Sequence, residues 1–98
     1  MTQAAQPALE GYDGPARLVT EQQSLDVEVR LRGHFEPLDG RYHWYGRVSA
    51  GAEVDALVTS RAALAVRTPH GVAVARLADR DPWGRYRVTG TGRPPFPG

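Results

Sequence analysis

Between Leu25 and Glu36 the side chains alternate without a break. Leu25, Val27, Val29, Leu31, Gly33 and Phe35 fall on one side, and Asp26, Glu28, Arg30, Arg32, His34 and Glu36 on the other. A period of two is the signature of a half-buried strand in an antiparallel sheet, because a helix would scatter the same residues around its axis. Such a strand needs a partner, and the chain supplies one at once. Pro37-Leu38-Asp39-Gly40 is a turn, and Arg41 to Val48 returns with Tyr42, Trp44, Gly46 and Val48 inward and Arg41, His43, Tyr45 and Arg47 outward. A four-residue loop opposes Glu36 to Arg41, His34 to His43 and Gly33 to Trp44. A two-residue Asp39-Gly40 turn opposes Phe35 to Trp44 instead. Both keep the faces right, since they differ by two positions. The longer loop is preferred: it pairs Glu with Arg, lets Trp44 cover Gly33 and frees Pro37 from the ladder.

The rest of the chain reads as further short strands. Residues 1–10 are small and polar, an expected disordered lead-in. Gly11-Tyr12-Asp13-Gly14-Pro15 is a dense turn signal, followed by a strand over Ala16–Thr20 and a turn over Glu21–Ser24. Ser49 to Arg61 permits either a short helix or a strand. Leu64–Thr68 and Val72–Leu77 form a hairpin around Pro69-His70-Gly71. Ala78 to Gly84 turns into a last strand over Arg85–Thr91, and residues 93–98 form a Pro-rich extended tail. The expected fold is one all-β domain over 11–92, a small antiparallel barrel or sandwich of about six strands with little or no helix.

Composition narrows the chemistry. Cysteine is absent, which excludes disulfides, thiolate metal sites and a Cys nucleophile. The formal net charge of +1 gives no support for nonspecific nucleic-acid binding. Lysine is also absent, so the all-Arg cation set reflects codon bias before it reflects phosphate recognition. No apolar run approaches the ~20 residues of a bilayer span, and the first residues lack the basic and apolar regions of a signal peptide. The expectation is a soluble cytoplasmic protein without membrane or nucleic-acid partners.

No serine lies in a nucleophile elbow, and Gly90-Thr91-Gly92 is followed by no helix to hold a phosphate. No catalytic residue, metal or cofactor is therefore expected. His34 and His43, as cross-strand neighbours, could hold a metal only with further ligands, Glu36 being the nearest. Asp79 and Asp81 read as turn chemistry, with Asp81 capping local N–H groups. Trp44 and Trp83 read as core plugs at the two barrel ends, with Trp83 also a candidate contact. What folding leaves over is an Arg/aromatic face: Arg30, Arg32, His34, Arg41, His43, Tyr45 and Arg47, with Arg85 and Arg87 on the equivalent face of the last strand. Such a face suits an anionic or aromatic ligand, a protein interface, or water.

Three strings carry a family resemblance. They are Leu31-Arg32-Gly33-His34-Phe35-Glu36-Pro37, Asp39–Val48, and the stretch from Asp81 to Phe96. Together they resemble a small actinobacterial domain of unknown function, found alone at about this length or at the C-terminus of flavin-dependent monooxygenase-like proteins. The resemblance implies an accessory role near oxidative metabolism of small molecules. The chain has no nucleotide-binding fingerprint of its own, so a flavin-dependent oxidoreductase partner would be a separate chain. The expected function is that of a non-catalytic binding or accessory domain, a homodimer or a partner of a monooxygenase-type system. The alternatives are a small-molecule carrier with an Arg/aromatic-lined barrel mouth and, more weakly, a metal- or cofactor-dependent enzyme using His34 and His43.

Overall fold

The structure is a computed structural model that describes residues 10–96. The expected lead-in falls outside the described residues as far as position 9, as do the last two positions of the expected tail. Six strands and one helix follow in order: β1 (Glu10–Val19), β2 (Ser24–Glu36), β3 (Arg41–Val48), α1 (Ala52–Ser60), β4 (Leu64–Thr68), β5 (Gly71–Ala78) and β6 (Tyr86–Thr91). All neighbours are antiparallel. They close into a barrel in the order β1-β2-β3-β6-β5-β4.

The alternation of β2 sets the core. Leu25, Val27, Val29 and Leu31 are buried and meet Leu18, Trp44, Val48, Val66 and Val88 from the other strands. Phe35 departs from the expected inward set and is 57% exposed, because the end of the β2–β3 hairpin projects past the barrel. The hairpin adopts the four-residue loop, opposing Glu36 to Arg41, His34 to His43 and Gly33 to Trp44. The Gly40 N–H donates to the Glu36 carbonyl at 2.9 Å, and Asp39 accepts from the Arg41 N–H at 2.9 Å. One detail differs from expectation. A Cβ on Gly33 would overlap the Tyr42 ring, while Trp44 lies across Gly90 of β6.

The stretch Gly11–Pro15 is strand rather than turn. β1 pairs with β2 along its full length but with β4 only over Arg17–Val19. Pro15 therefore sits where the β4 side is unpaired, and its missing N–H removes no ladder bond there. Ser49–Arg61 resolves as the helix α1. Glu53 and Asp55 lie in its first turn, where negative charge is favoured, and Arg61 closes it in the left-handed conformation, its N–H donating to the Val58 carbonyl at 3.1 Å. Val54 and Leu57 are buried and cover the barrel end where β3 stops and β4 starts. At the opposite end the tail turns inward: Thr68 Oγ1 donates to the Pro95 carbonyl, and Phe96 is buried with its ring 6.5 Å from that of Tyr42. Both barrel mouths are filled by the chain itself.

Trp83 is not a core plug. It is 73% exposed and lies under the Arg85 guanidinium, 5.5 Å from the ring centroid. Asp81 makes the turn as expected, accepting from the N–H groups of Trp83 and Arg85 at 3.0 and 2.9 Å and from Arg85 Nε at 2.8 Å.

Candidate functional site

Register builds the outer face row by row. Arg30, Arg47 and Arg87 lie side by side on β2, β3 and β6. The next row runs Arg32, Tyr45, Thr89 and Arg76, reaching β5. The third holds His34, His43 and Thr91. Like charges directly opposite one another on adjacent strands repel, so the first row is not explained by folding. Arg32 is paired with Asp13 at 2.6 Å. That hydrogen bond holds the Asp13 carboxyl below its ordinary range and raises Arg32 above its own. Arg47 donates to the Asp79 carbonyl at 3.2 Å. Arg87 lies 6.0 Å from the Tyr45 ring centroid, a cation–π contact. Arg76 and Arg87 have no carboxylate partner among the described residues.

The wall beside these residues is incomplete. β6 pairs with β3 along its whole length, but with β5 only from Arg76 to Ala78. Between the first half of β5 and Gly90–Thr91 the strands part. An open groove of about 910 Å³ runs from this split to the β2–β3 hairpin, lined by Val74, Ala75 and Arg76 on one side and by Arg87, Thr89, Gly90 and Thr91 on the other. His34, Glu36, Asp39, His43 and Tyr45 bound it at the hairpin. Its floor is Trp44, 1% exposed, whose Nε1 has no hydrogen-bond partner among the described residues. Trp44 reaches this place because Gly90 has no side chain: the indole edge carrying Nε1 lies against the Gly90 Cα, where any Cβ would collide with it. A groove of this size suits a drug-sized molecule.

The two histidines are neighbours, with ring centroids 6.3 Å apart and planes 29° from parallel. His43 Nε2 lies 2.7 Å from Asp39 Oδ2, and His34 Nε2 lies 3.7 Å from Glu36 Oε1. The His43 contact keeps the Asp39 carboxyl below its usual range. Each imidazole faces its own carboxylate, and among the described residues no cluster of three or more donors is arranged to hold a metal.

The structure thus brings together Arg30, Arg32, His34, His43, Tyr45, Arg47 and Arg87 on one face. Arg41 sits on the hairpin beside the loop, exposed. Trp83 and Arg85 belong to the β5–β6 turn, apart from the groove. The sequence reading missed Val74, Arg76 and Thr89, and placed Trp44 as a core plug first, with the barrel mouth of the carrier alternative second. The alternation of Val72, Val74 and Arg76 was visible, but not which side of β5 faces out.

The sequence profile of a family described as a domain of unknown function (DUF4873) matches residues 9–97. The uncharacterized protein Mb0968c of Mycobacterium bovis and the uncharacterized protein Rv0943c of Mycobacterium tuberculosis are each 40% identical to the chain over 85 residues, 87% of its length. Those residues make up 24% of either relative, so the chain spans about a quarter of the curated proteins it matches. No solved structure matches the chain significantly. Among the described residues, no helix is long and apolar enough to cross a membrane.

Proposed function

The chain belongs to the DUF4873 family of actinobacterial domains of unknown function, and from that premise we propose that it is a non-catalytic binding domain accessory to an oxidoreductase of the monooxygenase type. The observation that carries the binding reading is the groove at the β5–β6 split, where Arg76 and Arg87 stand without carboxylate partners among the described residues, beside Val74 and the Tyr45 ring. Donors held in place on a rigid barrel favour capture of a molecule over proton transfer. The accessory reading is supported by the mycobacterial relatives, in which the domain is a minor part of a longer chain. The link to a flavin-dependent enzyme rests on the family resemblance. Of the sequence alternatives, the carrier merges with this reading once its site is moved from the filled barrel mouth to the split in the wall.

Native mass spectrometry of gently purified protein tests the proposal. A bound small molecule retained by the wild type and lost from a Tyr45→Ala/Arg87→Ala variant is the expected result. Identical, ligand-free spectra for both would overturn it. A second reading, self-association, is favoured by Val72 and Val74, which stand 56% and 78% exposed on β5 beside the groove. Light scattering separates the two: a dimer that persists in a Val74→Glu variant removes this surface as the interface.

A further inference from the structure

The chemistry of the groove selects among ligands, and this inference rests on the binding reading above. Two arginines, Arg76 and Arg87, stand at one end without carboxylate partners among the described residues, while Glu36 and Asp39 stand at the hairpin end. The lining therefore favours an anionic group at the split and opposes a second negative charge further along. Between the two ends the walls are Val74, Ala75 and the Tyr45 ring, which suit an apolar or aromatic body. Beneath them Trp44 is buried, and its N–H is closed off from the groove as well as from any acceptor among the described residues.

We propose that the groove binds a planar monoanionic organic acid, an aromatic ring carrying one carboxylate. The carboxylate seats in the split between β5 and β6, its oxygens accepting from Arg76 and Arg87. The ring lies along Val74 and Tyr45. Charge-assisted bonds to Arg give the site its preference for the acid over a neutral analogue of the same shape.

Calorimetric titration of the full chain with three probes tests this: naphthalene carboxylate, naphthalene methanol and a naphthalene dicarboxylate with its two acids at opposite ends of the ring. The expected result is that the monocarboxylate binds about tenfold or more tighter than the alcohol, and tighter than the dicarboxylate. An Arg76→Ala/Arg87→Ala variant, changed only at exposed positions, abolishes the preference. Equal binding of acid and alcohol overturns the anionic class while leaving the groove as a binding site. Tighter binding of the dicarboxylate overturns the single-charge assignment. No binding of any probe, in a protein whose native spectrum is also empty, removes both this inference and the binding reading.

Discussion

Trp44 is the residue on which fold and site meet. Its indole is buried among the core side chains, yet its Nε1 edge rests on Gly90 at the floor of the groove. Gly90→Ala would force a methyl group into the indole. Overpacking of this kind destabilises by about 1–3 kcal/mol, so the urea midpoint falls; an unchanged midpoint contradicts the contact. Burial of Trp44 was legible from the alternation of Arg41–Val48. Its resting place was not, because it depends on pairing β3 with β6, more than forty positions away in sequence (Trp44 opposite Gly90). Trp83 shows the same limit: local sequence marks a turn but does not say whether its aromatic residue folds in or out. Asp81 and Asp39 make a prediction of another kind. Partial burial pushes the Asp81 carboxyl up, but hydrogen bonds from the Arg85 and Trp83 N–H groups and the Arg85 guanidinium outweigh it and hold it down. Asp39 is held down first by His43. Folding thus weakens proton binding at both carboxyls. Their contribution to stability is present above the unfolded Asp value of about 3.9 and is lost as pH falls through the lower folded values. Urea midpoints measured across that acidic range should fall less steeply for Asp81→Asn than for the wild type.

At the scale of elements, the β2–β3 hairpin was the most legible part of the chain, since strict alternation fixes its faces and Glu36–Arg41 pairing fixes its loop. β5 was the least legible for function. Ala73, Ala75 and Leu77 turn inward while Val72 and Val74 turn out, because the large side chains of β2, β3 and β6 already fill the interior. Two apolar sets that alternate with each other do not announce their own face. Arg87 separates the roles of architecture and site. It lies in register with Arg47, so Arg87→Ala removes a like-charge neighbour together with a cation–π contact. Stability should stay within about 0.5 kcal/mol of wild type, while ligand retention is lost; a large stability loss would make the residue structural. α1 behaves oppositely. Leu57→Ala opens the barrel end that it covers and should lower stability by about 2–5 kcal/mol, read as a shift in thermal midpoint without change in ligand binding.

The whole molecule is a barrel closed by unequal seams. β1 and β2 pair over ten positions, whereas β5 meets β6 over three. α1 and the Pro95–Phe96 tail fill the two ends, so the parting of β5 and β6 is where the proposed ligand would seat. An all-β fold of about six strands was readable from turn spacing. The split was not, because it is set by which strands outrun their neighbours after closure. The most direct test is the pair of indole N–H resonances in the amide spectrum, assigned with a Trp83→Phe variant and followed while naphthalene carboxylate is added. A movement of the Trp44 indole proton, shifted by the ring current of a ligand lying in the groove above it, with the Trp83 proton in place, is the predicted result. A Trp44 proton that stays fixed while the acid binds elsewhere on the protein would contradict it.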